Sequence, residues 1–225
     1  MLKAVIMDFD GVIIDTEVVW HEVFVAWFKK HKKYDLTMDE FLKCVGANSE
    51  ELLRYLEAER SLSIDRDFFE EETKSLFMEK VNALPPKEGI VDFVKKVRNE
   101  GLKLALATSS FRERPFKYLT KFGIIHFFDA LITADDVERI KPHPDLFLKA
   151  LKELDVEAKE TVIVEDSLNG LIAGKSAGAE VIVVPNAVTK HSEFAGYYRM
   201  VDSLKNVSVN SLIEEFNSSC KARGA

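Results

Sequence analysis

The segment Val5-Ile6-Met7-Asp8-Phe9-Asp10-Gly11 constrains the fold more than any other stretch of the chain. A short apolar run with β-branched residues reads as a buried strand, and it stops at two aspartates one residue apart, followed by glycine. Burying two uncompensated carboxylates costs several kcal/mol or forces them to neutralise, so these acids must have something to hold or attack. A parallel α/β sheet places its chemistry at such strand ends, beside a turn that glycine permits.

Strand-like runs recur at Lys3–Met7, Lys103–Ala107, Ala130–Thr133, Thr161–Val164 and Val181–Val184. Helical patterns separate the later ones: Ile90, Val91, Phe93, Val94 and Val97 share one face, as do Leu146, Phe147, Ala150, Leu151 and Leu154. Strands this apolar, alternating with helices, predict an α/β fold whose parallel sheet is covered on both sides. Gly101 and Gly123 stand where a helix C-cap glycine belongs. The interval between the first two strands contains no strand pattern. Val19, Val23 and Trp27 with Trp20, Phe24 and Phe28 predict an amphipathic first helix, followed by helices at Glu50–Arg60 and Asp67–Ala83. Pro85-Pro86 ends that block. The expected organisation is therefore a core of residues 1–15 and 84–225 with an all-helical cap, 16–83, inserted after the first strand. Hinges are expected near Ile14–Thr16 and Ala83–Pro86, and a frayed tail at Ser218–Ala225.

A chain of 225 residues with net charge −7 has room for one large domain, or a core with a smaller companion, and shows no basic patch for nucleic acid. Lys29, Lys30, Lys32 and Lys33 follow the first helix and read as its solvated C-terminal end. Cys44 and Cys220 have neither zinc nor dithiol spacing, which fits a reduced cytosolic protein. No apolar run reaches membrane-spanning length, and Asp8 and Asp10 interrupt the start too early for a signal sequence, so the expected location is the cytoplasm. The five histidines form no ligand spacing, and the tryptophans and phenylalanines between 20 and 77 read as core.

Parallel strands end at one edge, so residues just beyond them converge. The first strand delivers Asp8 and Asp10, the second Thr108, Ser109 and Ser110, and the fourth Glu165, Asp166 and Ser167; Lys141 follows the third. Acids, hydroxyls and one lysine at corresponding ends suit a phosphate and a metal. Asp8-Phe9-Asp10-Gly11-Val12, Thr108-Ser109, Lys141-Pro142 and Glu165-Asp166-Ser167 resemble the four ordered motifs of the haloacid dehalogenase superfamily. The stretch Asp10 to Glu17, the helical insertion and Glu165-Asp166-Ser167-Leu168-Asn169-Gly170 are similar to its β-phosphoglucomutase-like phosphatases, and the resemblance spans essentially the whole chain.

That resemblance implies a Rossmann-like core and a role for each motif residue. Asp8 would attack phosphorus and form an aspartyl-phosphate. Asp10 would protonate the leaving oxygen and then assist an attacking water, which requires its environment to differ from that of Asp8. Thr108 would bond a phosphoryl oxygen, helped by backbone N–H groups around Ser109 at the start of the next helix. Lys141 would neutralise charge beside Asp8. Mg²⁺ would be held by Asp8, Asp166 and the backbone carbonyl of Asp10, with Glu165 joining directly or through water. Charge arithmetic agrees: each pair of like charges about 4 Å apart costs roughly 4 kcal/mol at an effective dielectric of about 20, more than one lysine offsets. Glu17 either faces the substrate or serves only the pivot into the helices.

The residues expected of a mutase are missing. Ser49 stands where β-phosphoglucomutases carry an arginine after the cap glycine, Trp20 replaces a histidine, and Phe111 replaces a phosphate-binding lysine for which Arg112 is the available substitute. Hydrolysis of a small phosphorylated metabolite, with a sugar phosphate the first candidate, is therefore the expected activity, and a monomer needs no further assumption. The alternatives are a β-phosphoglucomutase-type mutase and, in another class, a non-catalytic aspartyl-phosphate signalling or binding protein. Receiver domains are about half this length and lack the cap, which weighs against the last.

Overall fold

The computed structural model describes residues 1–223, with side chains through residue 219. Its sheet has six strands in the order β3-β2-β1-β4-β5-β6, formed by β1 (Ala4–Met7), β2 (Lys103–Ala107), β3 (Ala130–Ile132), β4 (Thr161–Glu165), β5 (Glu180–Val183) and β6 (Arg199–Met200). Every adjacent pair is parallel. The chain crosses from β1 to β2 on one side and later returns to lay β4 on the other, so β1 sits at the point where strand order reverses. Such a point opens a crevice beyond the strand ends.

Each central strand is apolar on both faces because each face has its own cover. Val5, Met7, Leu104, Leu106, Val162 and Val164 face α5 (Ile90–Asn99) and α9 (Val209–Arg223), whose Phe93, Val97, Leu212 and Phe216 share the same buried cluster. Ala4, Ile6, Ala105, Ala107 and Ile163 face α7 (Asp145–Leu154) and α8 (Leu168–Ser176). Small alanines on that second face let Phe147 and Leu151 of α7 approach closely. The three-layer α/β expectation holds.

Between β1 and α5 the described residues form helices only: α1 (Thr16–Lys32), α2 (Met38–Phe41), α3 (Glu50–Arg60) and α4 (Arg66–Val81). The predicted second helix matches its span, and the third starts at Arg66, where the Asp65 carboxylate accepts from the Phe68 amide at 3.2 Å. One-turn α2 was not anticipated, although the Thr37–Glu40 capping box that starts it is legible. The helices share an aromatic core. Trp27 lies 4.8 Å from Phe69 and 5.2 Å from Phe28, centroid to centroid, and Phe24 lies 4.9 Å from Phe69. Both connections to the sheet are tied together: the Lys87 amide donates to the Ile13 carbonyl at 2.8 Å, and Lys87 Nζ to the Gly11 carbonyl at 2.6 Å.

The tail expected to fray from Ser218 instead continues α9 to Arg223; the rest of that expectation, and the side chain of Cys220, lie outside the described residues. Gly101 and Gly123 adopt φ of 74° and 69°, as C-cap glycines do. No helix among the described residues is long and apolar enough to cross a membrane.

Trp27 is 1% exposed at the centre of the helical block. Trp27→Ala is expected to cost about 3–5 kcal/mol of unfolding free energy, read from urea transitions. A loss below about 1 kcal/mol would show that the helices do not rely on this packing.

Candidate active site

The strand ends bring most of the expected residues together. Asp8 leaves β1 with its amide donating to the Val164 carbonyl at 3.0 Å, so it is held to the neighbouring strand as its side chain enters the crevice. Lys141 arrives from the far side of the sheet. Its Nζ lies 2.6 Å from Asp8 Oδ1 and 2.5 Å from Glu165 Oε1, with all three side chains buried. Asp166 completes the group: carboxylate oxygens of Asp8, Glu165 and Asp166 lie within 4.8 Å of one another.

Glu165 has little capacity to spare. While Oε1 accepts from Lys141, Oε2 accepts from the Asp166 and Ser167 amides at 3.0 and 3.2 Å and from Ser167 Oγ at 3.1 Å. Asp166 Oδ2 accepts from Asn186 Nδ2 at 2.8 Å. Asn186 is a site residue that sequence reasoning missed. It follows Val184-Pro185, just beyond β5, so the strand-end rule applied to one more strand would have found it.

Asp10 is engaged quite differently. Its Oδ1 accepts from Thr16 Oγ1 at 2.6 Å, and its Oδ2 from Ser110 Oγ at 2.5 Å and Arg114 Nη2 at 2.7 Å. Arg114 Nη2 also donates to Ser110 Oγ. Arg114 was not singled out from the sequence. It stands in the first turn of α6 (Glu113–Lys121), where the helix dipole disfavours a cation, and that mismatch was the available signal. The expected substitute, Arg112, is turned outward with its guanidinium 2.6 Å from Asp136. Phe111 is exposed at the cavity mouth.

Thr108 is buried at the end of β2, and its Oγ1 accepts from the Ser110 amide at 3.1 Å, leaving the hydroxyl proton free to donate elsewhere. The helix start expected around Ser109 lies further along the chain. Ser109 Oγ donates to the Gly46 carbonyl at 3.1 Å, across to the helical block, and α6 begins only at Glu113, with Arg112 at its cap position. Three intervening loop residues, Ser110 to Arg112, separate the Thr108–Ser109 amides from that helix start. Asn169, in the first turn of α8, makes a parallel contact, donating to the Val45 carbonyl at 2.9 Å.

Above these groups lies a cavity of about 650 Å³ between the strand ends and the helices. Asp8, Asp10, Thr108 and Arg114 line its floor, and Glu17, Trp20, Asn48 and Lys74 its walls. Trp20 stacks on Phe77 with centroids 3.8 Å apart. Glu17 faces the cavity with no hydrogen-bond partner among the described residues.

Electrostatics follow from burial. Desolvation, offset by Lys141 and reinforced by Glu165 and Asp10, pushes the Asp8 carboxyl up to about 7. Burial and Glu165 push Asp166 well above the usual range. Burial alone would lower Lys141, but the Asp8 and Glu165 carboxylates outweigh it and hold the ammonium charged. Burial, aided by the charge of Asp10, raises Glu17 to about 8. The acids outnumber the cations in a dry site, and their oxygens form a hard donor set. That arrangement fits a small divalent cation.

A family model described as haloacid dehalogenase-like hydrolase matches residues 5–184. The chain is 33% identical over 219 residues to YhcW of Bacillus subtilis, covering 97% of this chain and 99% of that one. It is 34% identical over 185 residues to the phosphorylated carbohydrates phosphatase of Thermotoga maritima, covering 80% and 84%. Among solved structures, β-phosphoglucomutase from Clostridium difficile superposes with a TM-score of 0.78 at 25% identity, covering 98% and 99%.

Because Glu17 rises from 4.5 to about 8, the folded chain keeps between those values a proton that the unfolded chain has released. Stability from this group is whole below the lower value and declines as pH rises through the upper one. Glu17→Gln has no proton to lose. Its stability advantage over the parent is expected to grow by about 1 kcal/mol or more between about pH 5 and about pH 8, measured by urea denaturation. A gap independent of pH would mean that Glu17 is ionised in the fold.

Proposed function

The chain belongs to the haloacid dehalogenase-like hydrolase family, and from that membership we propose that it is a Mg²⁺-dependent phosphatase working through an aspartyl-phosphate on Asp8. The observation that carries this reading is the buried Lys141 ammonium shared by Asp8 and Glu165, beside Asp166, at the reversal of strand order.

Asp8 Oδ attacks phosphorus; the P–O bond to the alcohol breaks, and the leaving oxygen takes a proton from Asp10. Asp10 then accepts a proton from water as that water's oxygen displaces Asp8 from phosphorus, releasing inorganic phosphate. Lys141 keeps Asp8 oriented and offsets charge on the phosphoryl group. The Thr108 hydroxyl donates its free proton to a phosphoryl oxygen, and the Ser109 backbone amide assists. Asp8, Asp166 and the Asp10 carbonyl would hold Mg²⁺, which would supply neutralising charge for the incoming phosphate. Glu165, already committed to Lys141 and the loop amides, acts by holding them or through water.

Residues 16–83 act as the cap and residues 1–15 with 84–225 as the core, the cap closing over the substrate to exclude water. A sugar phosphate is the favoured substrate. A relative 34% identical carries the name phosphorylated carbohydrates phosphatase, and a protonated Glu17 offers both a donor and an acceptor to a hydroxyl. Hydrolysis is favoured over mutase chemistry because Ser49, Trp20 and outward-turned Arg112 supply no second phosphate anchor at the mutase positions. The chain acts in the cytoplasm as a monomer.

Asp8→Asn is expected to abolish phosphate release, and Asp10→Asn to slow it about 10²–10⁴-fold with Mg²⁺ affinity kept. Chelation removes activity and Mg²⁺ restores it. A phosphate-ester panel assayed for free phosphate checks all three, and near-normal Mg²⁺-dependent turnover by Asp8→Asn would overturn the covalent route. With β-glucose 1-phosphate and its bisphosphate activator, glucose 6-phosphate accumulating without free phosphate would reverse the choice against the mutase.

A further inference from the structure

We propose that Arg114 is a substrate-binding residue, the free edge of its guanidinium taking an anionic oxygen of the phosphorylated substrate while Nη2 keeps Asp10 beside it. This rests on the phosphatase reading above.

Arg114 is fixed before any ligand arrives. Its guanidinium lies 5.1 Å from the Phe77 ring centroid on α4 and 5.9 Å from that of Phe9 beyond β1, so it is held between the helical block and the catalytic loop. Only Nη2 is hydrogen-bonded, to Asp10 at 2.7 Å and to Ser110. Nε and Nη1 have no partner among the described residues, yet the side chain is only 19% exposed and lines the cavity with Asp8, Asp10 and Glu17. A guanidinium carries five donors in a rigid plane, so one group can hold two acceptors at once without reorienting.

The neighbouring cations cannot do this: Lys117 donates to Asn82, and Lys74 on the cavity wall is a point charge without a planar set of donors. Lys141 has two of its three donors committed to Asp8 and Glu165. Arg112 is spent on Asp136. A purely structural ion pair with Asp10 would use one edge of Arg114 and gain nothing from leaving the remaining donors turned toward a cavity. Bridging Asp10 and the substrate through one plane aligns the carboxyl with the ester oxygen. The pre-set position also spares the ordering cost of recruiting a mobile side chain.

Calorimetric titration of inorganic phosphate in Mg²⁺ tests this on the wild-type protein, Arg114→Ala and Arg114→Lys, alongside kcat and KM for one hydrolysed ester. Arg114→Ala is expected to weaken phosphate about tenfold or more and to raise KM, with Arg114→Lys recovering part of the loss. Phosphate affinity within about twofold of wild type in Arg114→Ala, with only kcat reduced, would overturn the proposal and reduce Arg114 to a support for Asp10. Absence of phosphate binding by the wild-type protein would overturn it as well. Should Arg114→Ala melt below the assay temperature, Arg114→Gln takes its place under the same criteria. Calorimetry needs no turnover, so a wild-type protein that binds phosphate through Arg114 but hydrolyses no ester would sink the phosphatase reading alone.

Discussion

One ammonium group organises the polar centre of this molecule. Lys141 Nζ sits between Asp8 and Glu165, at 2.6 and 2.5 Å, in a region closed to solvent. The parallel register makes the arrangement possible: Met7 pairs with Val164, so the following residues leave adjacent strands at the same height. Two carboxylates emerging side by side into a dry crevice repel each other, and the lysine's charge resolves part of that conflict. Removing one member of such a group leaves buried charge uncompensated, which costs far more than the intact pair contributes. The third acid, Asp166, receives no comparable cation and carries a strongly raised carboxyl instead. The imbalance that remains is the physical opening for a divalent ion.

Backbone approach sets how close these acids can come. At Gly170, in the first turn of α8, a Cβ would lie 1.9 Å from Glu165 Cδ. At Gly11, with φ of +70°, it would lie 1.9 Å from Asp166 Oδ2. Both glycines therefore leave free the space that packed carboxylates need, one in the turn after β1 and one in the first turn of the helix after β4. The Asp10-Gly11 turn and the Leu168-Asn169-Gly170 segment carry chemistry by lacking side chains as much as by bearing them.

Legibility in the sequence followed the strength of the local signal. β1, β2 and β4 were visible because each is an apolar run broken by a polar residue at its end, and that break is also where the site lies. β6 was invisible: it spans only Arg199–Met200 and carries no apolar alternation. Asp8 and Asp10 were legible as acids whose cost at a strand end demanded a partner, and Lys141 and Asp166 only by their positions after later strands. The start of α6 was not legible, because the loop after β2 runs on to Arg112 before the helix begins. Asn186 needed only the strand-end rule carried on to β5, whereas Arg114 lies further out, past the loop that follows β2. At that distance loop shape rather than spacing determines what the Arg114 side chain reaches.

Two aspartates one residue apart look interchangeable in the sequence, and the fold makes them unequal. Asp8 is shut in with a lysine and two further acids. Asp10 meets two hydroxyls and an arginine at the cavity edge, and one of those hydroxyls belongs to Thr16, the first residue of α1. The same side chain that is proposed to carry the proton is thus bonded to the start of the helical block, and its arginine partner leans on Phe77 of that block. Displacement of the helices relative to the sheet would alter the surroundings of Asp10 directly, through Thr16 and Phe77. On the proposed mechanism, proton transfer by Asp10 would thereby be coupled to the position of the helices, while Asp8, the proposed nucleophile, is anchored to the sheet.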